Sequence, residues 1–67
     1  MSKYTNADAA HLAVGDTFRD KGRVFTVTEV DRIGDWIRIG CERSVKGFAS
    51  PSVFTFVAGQ SVEMKRG

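Results

Sequence analysis

Apolar and polar residues alternate from Val14 to Glu42, which is the period of two expected of half-buried β-strands. Gly15-Asp16 opens this stretch, and turn signals interrupt it at Lys21-Gly22 and at 32–35 (Arg-Ile-Gly-Asp). Short strands separated by such turns predict an antiparallel meander. The chain is therefore expected to form a small all-β domain.

The longest predicted strand, Arg23 to Val30, is rich in β-branched and aromatic residues. Phe25 and Val27 share one of its faces, whereas Val24 and Val30 share the other. A change of apolar face within one strand is typical of a bulged or coiled strand that serves both halves of a small barrel.

The segment from Trp36 to Cys41 alternates without interruption. Ile37, Ile39 and Cys41 point to one side, and Trp36, Arg38 and Gly40 point to the other. Because the first set is the more apolar, we expect it to face the core. The inward residues predicted over the whole chain are Phe18, Ile37, Ile39, Cys41, Val62 and Met64.

The C-terminal third has a less regular pattern. Glu42 to Ser52 is predicted as a loop, within which Val45, Phe48 and Ala49 form a short strand. Val53 to Val57 is predicted as a strand with Phe54 and Phe56 on one face, although 50–53 could instead form a 3₁₀ turn begun by its proline. Ser61 to Lys65 closes the sheet after a turn at 58–60.

The N-terminal segment, residues 1–13, is polar and alanine-rich, and two interpretations stay open. Thr5 and Asp8 resemble a capping box that begins one or two helical turns. Alternatively, the segment is a loosely ordered tail in which a turn of helix docks Leu12 on the barrel. In both cases the β-barrel is expected to comprise residues 14–67.

Five short strands in about fifty residues, joined mostly by tight turns, predict a closed or nearly closed antiparallel barrel. Leu12 to Phe18, followed by the strand order described above and by Ser50-Pro51-Ser52, resembles the SH3-like small barrels, the group that includes KOW and Tudor domains. The resemblance covers residues 12–66. The aromatic pairs of proline-binding SH3 domains and the aromatic cage of Tudor domains are absent. In general character the chain also resembles accessory proteins of bacteria and their phages.

Composition narrows the class of protein. The chain has 67 residues, a formal net charge of +2 and one cysteine, so it is one small domain without an internal disulfide. No apolar run approaches the ~20 residues of a membrane helix, and no signal peptide is recognisable. A cytoplasmic location without membrane attachment is expected, and the sequence does not specify an oligomeric state.

Candidate chemistry is sparse. Cys41 and His11 are the only soft metal ligands, and a zinc site needs three or four. The aspartates lie at turns, where their side chains bond nearby backbone N–H groups, and the glycines fall singly. The active-site strings of the plasmid-type dihydrofolate reductases, in which several small barrels line one pore, are also absent. We therefore expect no enzyme activity, no cofactor and no bound metal.

The remaining candidate is the outward face that bears Trp36 and Arg38. An exposed aromatic among cations can be a protein hot spot, can stack on a nucleic-acid base, or can simply cover the core. Interspersed Glu29, Asp31 and Asp35 could neutralise the cations, which would weaken the nucleic-acid interpretation more than the protein one. We therefore expect a non-catalytic module that binds a protein partner, with nucleic-acid binding as the alternative. The predicted partner-binding residues are Trp36, Arg38, Arg19, Lys21, Arg23 and Arg32.

Overall fold

A computed structural model describes residues 3–65 and shows six antiparallel strands. The strands are β1 (Tyr4–Asp8), β2 (Thr17–Asp20), β3 (Arg23–Ile33), β4 (Trp36–Val45), β5 (Phe48–Val57) and β6 (Ser61–Lys65). A 3₁₀ turn, Ala9–His11, follows β1. All six strands form one sheet in the order β1-β6-β2-β3-β4-β5, which confirms the predicted all-β class.

Two-residue turns connect three consecutive pairs of strands. Lys21 and Gly22 both have positive φ (50° and 79°), as do Lys46 and Gly47 (50° and 83°), and these are the angles of the type I′ turn. In the third turn only Gly34 has a positive φ (58°), which is the angle of the first central residue of a type II′ turn. These turns fix the register of the hairpins, and the register decides which side chains become neighbours.

A β-bulge lies in β3, as the sequence predicted. The register with β4 shifts between Val27 and Glu29. The extra residue returns Val30 to the side of Phe25 and Val27, where it packs against the core, while Val24 stays exposed. One long strand thus keeps apolar residues on the inner face of the sheet throughout its length.

The predicted loop at 42–52 is wrong, because β4 and β5 form one long hairpin. They pair without interruption from Trp36↔Val57 to Val45↔Phe48. Pro51 lies inside β5, opposite Glu42, so the alternative 3₁₀ turn at 50–53 is also wrong. Proline is tolerated there because β5 is an edge strand and its missing N–H deprives no neighbouring strand.

Residues 4–8 form a strand, so the predicted helix begun by a capping box and the loosely ordered tail are both wrong, whereas the predicted docking of Leu12 is confirmed. Tyr4 to Asp8 pairs with β6 as a sixth strand, and the single 3₁₀ turn that follows leads into the buried Leu12. Asp8 caps this turn itself and does not act as the capping-box partner of Thr5. Five alternating residues with little apolar content carry a weak strand signal, which explains the error.

The core lies on the concave inner face and contains a cluster of phenylalanines among aliphatic side chains. Phe18 contacts Phe25, Phe54 and Phe56, with ring centroids 5.4–6.1 Å apart. The six predicted inward residues all contribute, since five of their side chains are buried and that of Met64 is partly buried. The buried residues are Ala9, Leu12, Phe18, Phe25, Val27, Ile37, Ile39, Cys41, Phe56 and Val62.

The prediction of five strands is wrong, and of the two predicted forms of the barrel the closed one is not found within residues 3–65. β1 adds a strand, and the sheet order ends at β1 on one edge and at β5 on the other. Side chains connect β5 to β2 and β3 instead. The ring centroid of Phe54 in β5 lies 4.9 Å from that of Phe25 in β3 and 5.4 Å from that of Phe18 in β2. The sheet therefore curls around its aromatic core without backbone pairing between its edges.

Asp8 links the N-terminal strand to the turn between β5 and β6. Its Oδ1 accepts hydrogen bonds from the backbone N–H of Ala10 at 2.9 Å and of Gly59 at 3.0 Å. These two hydrogen bonds, aided by the charges of His11 and Arg32, outweigh partial desolvation and hold the pKa of Asp8 below its usual value. The charged carboxylate therefore stabilises the folded state.

Substituting Asp8→Ala should lower the melting temperature at pH 7 and have less effect in acid. A carboxyl whose folded pKa is depressed contributes its full stability above the unfolded pKa, about 3.9, and loses it as the pH falls through the folded pKa. Thermal melts of both proteins from pH 7 to pH 3 measure the difference. Asp35→Ala, in an exposed turn, is the control, and a pH-independent difference for Asp8→Ala would contradict the assignment.

Candidate functional site

The orientation predicted for β4 is confirmed. Ile37 and Ile39 are buried, whereas Trp36 is 54% exposed and Arg38 is also exposed. Trp36 does not belong to the core or to the side chains packed against it. Its indole therefore stands on the convex outer face of the sheet, where a ligand can reach it.

Trp36 has apolar neighbours on both adjacent strands. Ile33 of β3 and Val57 of β5 are its direct cross-strand partners. Directly opposed residues of antiparallel strands lie on one face with Cβ atoms about 5 Å apart, and Ile33 and Val57 are 65% and 42% exposed. We call Ile33, Trp36 and Val57 the outer row. Three large apolar side chains thus form one exposed band across three strands.

The next positions along the outer face are polar and then apolar again. Arg38 lies between Asp31 and Thr55, and beyond it Gly40 lies between Glu29 and the exposed Val53. A Cβ at Gly40 would lie 3.2 Å from the Cβ of Glu29, so a larger residue at this position would require Glu29 to shift.

Arg19 and Arg32, two of the predicted partner-binding residues, are engaged within the domain. Arg19 forms an ion pair with Glu63, and its guanidinium lies 4.4 Å from the centre of the Tyr4 ring. Arg32 donates a hydrogen bond of 2.6 Å to the carbonyl oxygen of Ala10, on the side of the sheet opposite Trp36. Neither side chain joins the outer row.

Lys21 and Arg23, the two other predicted residues, lie at the far end of β3. Ten residues separate Arg23 from Ile33, which is about 33 Å of strand. The structure therefore brings together Trp36 and Arg38 among the six predicted residues. It also places Ile33 and Val57 beside Trp36. Ile33 was predicted in a turn, and Val57 was predicted in a strand without an assigned neighbour.

Lys21 and Arg23 instead lie near cations that the sequence analysis had left in a loop. An open groove of about 590 Å³ separates the β2–β3 hairpin from the β4–β5 hairpin, and Arg23, Arg43 and Lys46 line it. Residues 43–46 lie there because β4 and β5 form a long hairpin. The groove could not be predicted as long as these residues were assigned to a loop.

Cys41 and the possible metal ligands were predicted to have no functional role. Cys41 is buried, burial raises the pKa of its thiol, and its Sγ lies 3.5 Å from the carbonyl oxygen of Ser52. Over residues 3–65 there is no group of three or more His, Cys, Asp or Glu side chains that could hold a metal ion. In the same range no helix is long and apolar enough to cross a membrane.

The chain was compared with protein-family models, with curated proteins and with solved structures, and none of them matches it.

Proposed function

We propose that the protein is a non-catalytic binding module that docks a protein partner through the outer row, with Arg38 at its border. The observation that carries this proposal is the exposed apolar band across β3, β4 and β5. Tryptophan and arginine are enriched among the residues that dominate binding energy, and here the indole is flanked by two aliphatic side chains. This environment suits an apolar partner surface.

The charges around Trp36 favour a protein over a nucleic acid at this face. Arg38 is opposed by Asp31, and Asp35 lies in the adjoining turn. A phosphate backbone that crossed the indole would meet two carboxylates and one available guanidinium. Counterion release, which dominates nucleic-acid affinity, would contribute little here.

The free edge of β5 suggests how the partner binds. β5 ends the sheet, and Pro51 removes one edge donor from its first half. The second half, Val53 to Val57, carries neither proline nor charge and lies beside the outer row. We infer that an extended partner segment adds along this edge and packs apolar side chains over Trp36.

We also propose that the fold is related to the SH3-like small barrels. β2 to β6 supply five consecutive antiparallel strands around one aromatic core, and β1 is an addition to them. The resemblance implies a binding module of the cytoplasm, which agrees with a single, buried cysteine.

Trp36→Ala is expected to weaken partner binding at least about 30-fold, the ~2 kcal/mol of an interface hot spot. Ile33→Ser should weaken it in the same direction, because it removes the neighbouring apolar contact. The measurement is capture from cell extract on immobilised domain, followed by titration of the purified captured protein.

Phe48→Ala is the matched control, since Phe48 is an exposed aromatic at the opposite end of the β4–β5 hairpin. A protein that binds the wild type and Phe48→Ala but neither outer-row variant would support the proposal. Equal affinity of the wild type and Trp36→Ala for every captured protein would exclude the outer row as the binding surface.

A further inference from the structure

The two hairpins diverge at one end of the sheet. β3 pairs with β4 only as far as Thr26↔Glu42. Beyond that point, residues 23–25 pair with β2, and residues 43–45 pair with β5. The groove of about 590 Å³ occupies the space between the two hairpins, and it opens to solvent at both turns.

Cations concentrate around this opening. Arg23, Arg43 and Lys46 line the groove together with Glu42, and Lys21 precedes Gly22, which also lines it. We call the groove with these four cationic side chains the cationic fork. None of the four takes part in an ion pair within residues 3–65, where Arg19–Glu63 is the one salt bridge.

The whole net charge of the protein lies here. The hairpin ends, 20–23 and 42–48, contain four of the ten Lys and Arg residues and two of the eight Asp and Glu residues, Asp20 and Glu42. The remaining six of each sign balance. A net charge of +2 on 67 residues looks unremarkable, but its confinement to one groove produces a local positive potential.

An aromatic side chain stands beside the fork. Phe48 is the cross-strand partner of Val45, which lines the groove, and at 76% it is the most exposed of the large apolar residues in the described range. Aromatic rings that border a basic groove stack on unpaired bases while the cations contact phosphates. At this exposure the ring contributes little to the core and is open to a ligand.

We propose that the cationic fork binds single-stranded nucleic acid, with phosphates held by Lys21, Arg23, Arg43 and Lys46 and a base stacked on Phe48. This site is separate from the outer row and does not depend on the function proposed for that row. An acidic protein segment would satisfy the cations equally well but would leave the ring of Phe48 without a stacking partner.

The test is fluorescence anisotropy with labelled oligothymidylate and oligouridylate of about twelve nucleotides, within the range of small single-strand sites. The wild type should bind with a slope of log affinity against log salt near −3, about 0.7 for each of four cations. The triple variant K21Q/R23Q/K46Q should bind at least about tenfold more weakly and with a slope below about 1 in magnitude. Phe48→Leu should lose at least about fivefold without changing the slope.

The control variant K3Q/R38Q/K65Q removes three exposed cations outside the fork, so it has the same net charge as K21Q/R23Q/K46Q. It should keep the wild-type slope, as should Trp36→Ala, and thermal melts establish that each variant is folded. Equal losses in the two triple variants, or no binding by the wild type, would overturn the proposal. Polyglutamate and unlabelled oligonucleotide are then compared, at equal charge, as competitors for the labelled oligonucleotide. If polyglutamate displaces it equally well, the ligand is an acidic peptide and the proposal is wrong.

Discussion

Replacing Phe18 by alanine should leave a large fraction of the chain unfolded at 25 °C. Phe18 is fully buried at the centre of the sheet, and its ring contacts Phe25, Phe54 and Phe56. The contacts with Phe54 and Phe56 join β2 to the edge strand β5, which has no backbone pairing with it. The substitution therefore opens a cavity and also removes the contact that curls the sheet.

The size of the effect follows from the size of the domain. A buried Phe→Ala substitution costs about 3–5 kcal/mol. A core in a chain below about 70 residues rarely supplies more than ~3–5 kcal/mol in total. The two quantities are comparable, so the folded and unfolded populations of the variant should be comparable too.

Urea denaturation followed by circular dichroism measures this change. Phe48→Ala removes the same ring from a site that is 76% exposed, and it should leave the midpoint almost unchanged. A Phe18→Ala protein as stable as Phe48→Ala would contradict the packing described for the core.

The sequence alone predicts which residues of a strand face the core better than it predicts which residues on different strands are neighbours. Alternation in β4 identified Ile37 and Ile39 as core and Trp36 as exposed, because one face of a strand must be the more apolar. The change of apolar face in β3 indicated a bulged or coiled strand, and a bulge lies there, although Val24 is exposed and does not share a face with Val30. Both inferences use only local pattern.

Neighbours across strands depend on register, and alternation alone does not determine register. Ile33 belongs to the outer row because a two-residue turn puts it directly opposite Trp36. Treating 32–35 as one four-residue turn removed Ile33 from the sheet. In the same way, the assumption of a loop at 42–52 separated Arg43 and Lys46 from Arg23 and hid the cationic fork.

The N-terminal strand was missed because its partner is far away in sequence. Tyr4 pairs with Lys65, near the opposite end of the described chain. β1 contains few apolar residues, and its stability comes from pairing with β6. A local pattern cannot report a contact of this separation, and a polar segment at a terminus then resembles a tail.

This difference in interpretation can be measured with Leu12→Ala. If residues 1–13 were a loosely docked tail, the substitution would cost little. Leu12 is instead 1% exposed within the core cluster. Its replacement by alanine should therefore lower the free energy of unfolding by about 2–5 kcal/mol and the melting temperature by roughly 10 °C or more for a domain of this size.

Val14→Ala is the matched control, because Val14 lies two residues away and is 66% exposed. It should change the melting temperature by no more than a few degrees, since surface substitutions usually stay within about 0.5 kcal/mol. Removal of residues 1–12 extends the test, because it takes away β1, Ala9 and Leu12 together. A truncated chain that melts cooperatively at the wild-type temperature would mean that the sheet needs neither its sixth strand nor the leucine beneath it.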